Sequence, residues 1–290
     1  MRKNFIIIFI AALALMVGCK DKQTTDTKKV ASSAERNSLH ENHLLGAIKS
    51  VSDTKYMVMP LEDGQDSLVC IATNHETYNQ AGWLSGSYMT TAAGDTIFVT
   101  RITFDDKGHV TRSEQTDAKG EVKQYYVYQY DKNGFRTQEL FYKGDTLVRK
   151  QVCENDAAGN VERITVTEGK EQYYLNHTNN PNGLPVLIEW FSPQGGNEAY
   201  MQSTIEYDEH GNVINRNMTL NKRNVEYYHA QYNTKGHLLK ELYQRSLPQQ
   251  LEEISTEYSK HDKNGNWTHQ ESTRNGHRYY VIERKIEYYH

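Results

Sequence analysis

A five-residue turn that ends in glycine recurs along most of the chain, and it constrains the fold more than any other feature. Residues 130–134 read Tyr-Asp-Lys-Asn-Gly. The aromatic residue ends a strand, and the Asp or Asn side chain accepts hydrogen bonds from backbone N–H groups ahead of it. Glycine then closes the turn at positive φ, where a side chain would be strained. The pattern predicts structural turn roles for Asp105, Gly108, Asp131, Gly134, Asp156, Gly159, Asp208, Gly211, Asn233, Gly236, Asp262 and Gly265.

The spacing of these turns predicts the fold class. With weaker copies at Gly82 and Gly183 included, successive glycines are 26, 26, 25, 24, 28, 25 and 29 residues apart. A second set of turn signals falls midway between them, so corners recur about every 12 residues and leave strands of about 8 residues. The prediction is an all-β antiparallel meander of repeated hairpins, with roughly sixteen to twenty strands. We expect a curved, elongated single sheet, with a closed barrel or a stacked ribbon as the alternative.

Ahead of the repeats, two short runs predict a first strand pair, at residues 46–51 and 55–59, followed by a turn at Asp63 and Gly64. Composition is consistent with a thin sheet. Apolar residues make up 37% of the chain, and 21 residues are tyrosine, whose amphipathic ring suits a half-buried pleated surface. The net charge of −4 is spread over interspersed acids and bases, so no nucleic-acid partner is predicted.

The N-terminal residues have the pattern of a targeting segment. Arg2 and Lys3 precede the apolar run 5–17, which is short for a transmembrane span. The run ends Leu-Met-Val-Gly-Cys and resembles the lipobox of bacterial lipoproteins, which implies cleavage after residue 18 and a lipid on Cys19. The predicted domains are therefore a signal peptide at 1–18, a flexible tether at 19–43 and a repeat domain at 44–290.

That resemblance implies a lipid-anchored protein of the bacterial cell envelope, at the outer membrane. The residues after Cys19 read Lys-Asp-Lys and resemble the surface-export signal of some Gram-negative lipoproteins. The periplasmic face and the cell surface both remain open.

The turn itself resembles the YD repeat of the Rhs family, most clearly at 207–213 and 130–134. Large Rhs proteins use many such repeats to wrap a toxin, and this chain is short for such a shell. The nearer likeness is to small lipoproteins built of these repeats. A weaker likeness is to MORN-like hairpin-repeat proteins, some of which bind other proteins.

Four tyrosines, spaced about one four-strand unit apart, are candidate ligand-binding residues. Tyr125, Tyr173, Tyr227 and Tyr279 would stack if the unit repeats in space, and a row of rings could bind carbohydrate or an extended peptide. The alternative is that these rings cover the sheet's own backbone. Open sheet edges are a second candidate recognition surface, because an edge can accept a partner strand.

Motifs for catalysis and metal binding are not evident in the sequence. It contains no nucleophile elbow, Walker loop or HExxH motif. One acidic residue per corner predicts turn capping rather than calcium binding, which needs six or more oxygens. We therefore predict no enzyme activity, metal or cofactor. Cys70 and Cys153 could form a disulfide outside the cytoplasm or remain two isolated thiols.

These observations favour a non-catalytic binding or scaffold module with a protein or carbohydrate ligand. Its predicted partners are the membrane, through the N-terminal lipid, and an envelope protein or glycan. Two alternatives stay open: a hydrolase of envelope polysaccharide, with its carboxylates on one sheet face, and an immunity-type partner of a toxin.

Overall fold

The computed structural model describes residues 37–61, 65–192, 196, 198–246 and 249–290. The predicted signal peptide, Cys19, the tether up to residue 36 and the turn at Asp63 and Gly64 lie outside these residues. No helix in the described part of the chain is long and apolar enough to cross a membrane.

The described chain forms one short helix and eighteen strands. The helix α1 spans Ser38–Glu41. The strands are β1 Ile48–Pro60, β2 Asp66–Tyr78, β3 Leu84–Thr91, β4 Thr96–Phe104, β5 Val110–Asp117, β6 Val122–Tyr130, β7 Arg136–Lys143, β8 Thr146–Asn155, β9 Val161–Glu168, β10 Glu171–Asn179, β11 Pro185–Phe191, β12 Met201–Tyr207, β13 Val213–Leu220, β14 Arg223–Tyr232, β15 Leu238–Ser246, β16 Gln249–His261, β17 Trp267–Arg274 and β18 His277–Tyr288.

The eighteen strands form one antiparallel sheet that closes on itself. Each strand pairs with the next in sequence, and β18 pairs with β1 from Ile48 opposite Tyr288 to Met57 opposite Tyr280. The predicted all-β antiparallel meander is confirmed. The expected elongated open sheet is wrong, and the closed barrel given as its alternative is the observed form. Closure removes the unpaired edges that an open meander would leave at β1 and β18.

The glycine-ended turns all lie at one end of the barrel, which we call the corner rim. Glycine has positive φ in each of them, for example +86° at Gly134. In that corner, Oδ1 of Asp131 accepts hydrogen bonds from the N–H groups of Asn133 (2.8 Å) and Phe135 (2.9 Å). The same pair of bonds recurs at Asn79, Asp105, Asp156, Asn180, Asp208, Asn233 and Asp262.

Neighbouring corners are joined by side chains. The Tyr130 hydroxyl donates to the carbonyl of Val110, at the start of the strand after the preceding corner. Asn155, Asn179, Tyr207 and Tyr232 make the equivalent bond. At three corners the residue after a corner glycine also packs over the next glycine: His109 over Gly134, Phe135 over Gly159 and Asn160 over Gly183. These contacts join neighbouring corners over much of the rim, and glycines such as Gly159 serve packing as well as backbone conformation.

The two faces of the sheet differ in solvation. Following the register from strand to strand places Tyr126, Tyr128, Tyr228 and Tyr258 on one face, where burial raises the pKa of each hydroxyl. Tyr88, Tyr227 and Tyr279 lie on the opposite face and are between 36% and 38% exposed. The first face lines the inside of the barrel and the second faces solvent.

One sequence prediction at the N-terminal end is corrected. The expected pair of strands at 46–51 and 55–59 is the single strand β1, because Asp53 between them is held inside the barrel by Arg284 rather than forming a turn. Residues 37–43, the last part of the predicted tether, include α1. Leu39 in that helix is buried in a cluster with Leu44, Ile48, Val51 and Tyr78.

Candidate ligand-binding cleft at the corner rim

Residues 37–47, which we call the N-terminal segment, lie across the corner rim and bond to corners far away in sequence. Near its start, the N–H of Leu39 donates to the carbonyl of Gly82. Near its end, Asn266 accepts from the N–H of Leu45 and donates to the carbonyl of Leu45, both at 2.8 Å. His43, at a φ of +52°, packs over Gly236. The segment thus covers part of the barrel mouth.

A cleft of about 410 Å³ lies beside the N-terminal segment. Its volume falls within the range of about 300–1,000 Å³ that is typical of small-molecule sites. We call it the rim cleft. It is lined by Glu41, Asn42, His43, Leu44, Asp53, Glu76, Asn212, Tyr232, Gly236, His237, Leu238, Tyr258, Trp267 and Arg284.

One wall of the rim cleft is aromatic. The His237 ring lies 5.0 Å from the ring of Tyr258, which lies 5.3 Å from the ring of Trp267. The guanidinium of Arg284 stacks on Trp267 at 3.5 Å from the ring centroid. Trp267 is buried and supports the wall, whereas Tyr232 and Tyr258 are half-buried and present ring surface to the cleft.

The charged groups of the cleft are held in place by hydrogen bonds. Arg284 on β18 makes two bonds of 2.7 Å to the carboxylate of Asp53 on β1. Glu76 accepts from the hydroxyl of Tyr78 at 2.6 Å and from the side-chain amide of Asn74 at 3.2 Å. The bidentate pair joins the two strands that close the barrel, so closure of the ring assembles this wall.

Two histidines, His43 and His237, meet where the N-terminal segment covers the cleft. Their rings are 6.3 Å apart and nearly perpendicular. Burial lowers the pKa of His43, with a smaller contribution from His40. Burial, followed by the neighbouring His43, lowers the pKa of His237 to about 4. The His237 side chain is only 7% exposed, and its Nδ1 has no hydrogen-bond partner in the described part of the protein. Unpartnered buried nitrogens of this kind are uncommon in folded proteins.

The four tyrosines predicted to bind ligand do not come together. Tyr125, Tyr227 and Tyr279 face solvent on β6, β14 and β18, while Tyr173 on β10 faces inward. Four strands separate each from the next, a distance of about 19 Å at strand spacing. Tyr125 instead stacks on Tyr142, with ring centroids 4.6 Å apart. The four rings do not stack as expected, because the four-strand unit repeats around the ring of the barrel.

Sequence reasoning missed the residues of the rim cleft. The sequence does contain a signal for His237: it directly follows a corner glycine, as His109 does. Both histidines are buried in the structure. No local pattern marks Asp53 or Arg284, whose pairing depends on ring closure. Cys70 and Cys153 are both free thiols, half-buried and buried respectively. No group of three potential metal ligands occurs within the described ranges.

Neither protein-family models nor curated proteins give a match to the chain. Among solved structures it is similar to a porin-like protein from Bacteroides uniformis, at 11% identity over 83% of this chain and 96% of that chain, with a TM-score of 0.42. A porin-like protein from Bacteroides vulgatus is 11% identical over 84% of this chain and 99% of that chain, with a TM-score of 0.37. A TcdB2-TccC3-TEV structure is 11% identical over 75% of this chain and 15% of that chain, with a TM-score of 0.33. At these sequence identities and TM-scores, the likeness supports no conclusion about function.

Proposed function

We propose that the protein is a non-catalytic binding protein of the bacterial cell envelope, held there by a lipid on Cys19, and that it binds a short glycan in the rim cleft. The observation that carries the proposal is a ligand-sized cleft in which half-buried tyrosine rings stand beside the carboxylates of Asp53 and Glu76 and the guanidinium of Arg284.

The chemistry of the cleft fits a sugar ring. A pyranose presents C–H groups on its faces and hydroxyls around its edge. The faces of Tyr232 and Tyr258 suit the C–H groups, since aromatic rings carry a negative face. Asp53 and Glu76 supply acceptors for the hydroxyls, and Arg284 supplies donors. With three carboxylates and one guanidinium among the lining residues, a neutral or amino-bearing sugar is favoured over an acidic one.

Binding without turnover is favoured over hydrolysis by the state of the cleft carboxylates. A glycosidase uses one carboxyl group as a proton donor to the leaving oxygen and a second as nucleophile or base. Here the carboxylate of Asp53 accepts two hydrogen bonds from Arg284, and the carboxylate of Glu76 accepts one from Tyr78. Both carboxylates therefore act as fixed hydrogen-bond acceptors. This suits orienting the hydroxyls of a sugar rather than donating a proton to a leaving group.

Attachment by lipid is supported by the lipobox pattern and by the outer wall. The solvent face carries ion pairs such as Arg112 with Glu114 and Lys240 with Glu253. A sheet that faces hydrocarbon carries an apolar band instead. The chain enters the described structure at the corner rim, so the rim cleft lies at the end of the barrel where the predicted tether arrives.

Titration of the full chain with defined oligosaccharides of glucose, mannose, galactose or N-acetylglucosamine tests the binding proposal, with tryptophan fluorescence as the readout. Trp267 in the cleft wall is expected to report binding, and Tyr258→Ala should lower the affinity at least about tenfold. Tyr126→Ala, an inner-face tyrosine on a remote part of the ring, is the matched control. Equal effects of the two variants, or no response to any sugar, would contradict the assignment.

Labelling of growing cells with a radioactive fatty acid tests the anchor separately. The wild-type chain should take up label and fractionate with membranes, and Cys19→Ala should lose both properties. An unlabelled wild-type chain would refute lipid attachment and leave the cleft assignment standing.

A further inference from the structure

The β1–β2 hairpin extends beyond the barrel wall at the rim opposite the corners. β2 pairs with β3 only from Ala72 to Tyr78, because β3 turns away after Thr91. Pairing with β1 continues beyond that point, from Tyr56 opposite Cys70 to Pro60 opposite Asp66. Among the described residues, 66–70 therefore pair only with β1, and Ile71 is the extra residue of a bulge between them and Ala72. Their other edge is free, although the barrel itself is closed.

This free edge is apolar and uncharged apart from its first residue. Leu68, Val69 and Ile71 are between 45% and 48% exposed, and the opposite strand adds Met57 and Met59 at 39% and 42%. The one charge, Asp66, is already paired with Arg278 at 2.7 Å. Monomeric proteins protect a free edge with charges, Pro or bulges that turn it away. Here a bulge lies at Ile71, at the base of the projection, and residues 67–70 beyond it carry neither a charge nor a Pro.

A second projecting edge in the same molecule shows the usual protection. β16 pairs with β17 only from Ile254 onwards, so residues 249–253 project in a similar way. Four of the five are polar, in the order Gln-Gln-Leu-Glu-Glu. Leu251 is 60% exposed there but stands alone among amides and carboxylates. The contrast indicates that the β2 edge is exposed for a partner.

We propose that the β2 edge pairs with the same edge of a second copy of this chain, antiparallel about a two-fold axis at Val69. This arrangement sets Val69 opposite Val69 and Leu68 opposite Cys70 of the second copy. Every pair is uncharged, so no like charges meet. A two-fold axis normal to the sheet keeps corresponding faces of the two copies on the same side. Residues directly opposite each other must also share a face, so the residue on the axis is paired with its own copy. Isologous pairing of this kind closes at the dimer.

The expected dimer is weak. The exposed apolar patch is on the order of a few hundred Å² per copy, so the two copies together bury less than the roughly 1,200 Å² at the lower end of specific, stable interfaces. Micromolar affinity is expected, with a mass of one monomer at low concentration and two at high concentration.

Sedimentation equilibrium of the full chain in density-matched detergent tests the proposal. Val69→Lys sets two lysines face to face and should weaken the dimer at least about tenfold, as should Val69→Glu. An equimolar mixture of the two variants should dimerise again, because the opposed charges then attract. Leu251→Lys on the protected edge is the matched control and should leave the dimer unchanged.

Covalent trapping gives an independent readout of the axis. Residues directly opposite each other in an antiparallel pair have Cα atoms about 4.5–5.5 Å apart, within disulfide range. Val69→Cys in a Cys70→Ser background should therefore form a bridged dimer with oxidised glutathione. A monomeric wild type at high concentration, equal losses for Val69→Lys and Leu251→Lys, or failure of the mixture to dimerise would overturn self-pairing about Val69.

Discussion

Replacing two corner glycines by alanine separates two roles of glycine at the corner rim, its backbone conformation and its packing. Gly108 and Gly159 have nearly the same backbone conformation, with φ of +86° and +89°. A methyl group built on Gly108 meets no atom within 4 Å, whereas on Gly159 it would lie 2.4 Å from Cε1 and 2.5 Å from Cδ1 of Phe135. Gly108→Ala therefore tests backbone strain alone, and Gly159→Ala tests strain together with packing between neighbouring corners.

The magnitudes follow from these two terms. A non-glycine residue in the left-handed region costs about 1–2 kcal/mol. Displacing a packed side chain adds about 1–3 kcal/mol. Gly108→Ala should therefore lower the free energy of unfolding by about 1–2 kcal/mol and Gly159→Ala by about 2–5 kcal/mol.

Urea unfolding with circular dichroism measures both losses, provided that the slope against denaturant stays constant. A Phe135→Ala background completes the test, because removing the ring should reduce the effect of Gly159→Ala to that of Gly108→Ala. Equal losses for the two alanine variants in the wild-type background would refute the packing role of the corners.

Three further outcomes are expected. Asn266→Ala removes two hydrogen bonds to the N-terminal segment, worth about 1–3 kcal/mol together, and should speed hydrogen exchange in residues 38–47 about tenfold or more, while Asn160→Ala at another corner should not. The pKa of His237 is lower in the folded state than its usual value of 6.5, so the unfolded chain binds more protons below about pH 6.5. Stability should therefore fall by about 2 kcal/mol between about pH 7.5 and pH 5, and His237→Gln should flatten this fall; an unchanged slope would contradict the burial of that ring. A thiol reagent should modify half-buried Cys70 in the native protein but reach Cys153, whose pKa is raised by burial, only on unfolding; mass spectrometry locates the label.

The repeats could be predicted because their determinants are local. A corner such as 131–135 needs one aspartate and one glycine at fixed spacing, and both its hydrogen bonds fall within five residues. The same logic predicts strand length and the antiparallel meander. Nothing in that pattern distinguishes an open sheet from a closed one, since each hairpin is the same in both.

Closure and the site depend on contacts that sequence spacing does not encode. The pair of Asp53 and Arg284 spans 231 residues, and the contact of Leu45 with Asn266 spans 221. Asp53 therefore falls between the two strands that the sequence predicts, although it lies inside β1. The four candidate tyrosines do not form a row for the same reason. Equal spacing along the chain places them at different positions around the barrel, far from one another.

A disulfide between the first and last strands tests the closed ring most directly. Thr54 on β1 lies directly opposite Glu283 on β18. With Cys70 and Cys153 replaced by serine, Thr54→Cys combined with Glu283→Cys should form an intramolecular bridge under mild oxidation, detected by mass and gel mobility. A closed barrel predicts near-complete bridging in the monomer. Thiols that stay reduced, or that bridge only between molecules, would contradict the closed ring and with it the wall of the rim cleft.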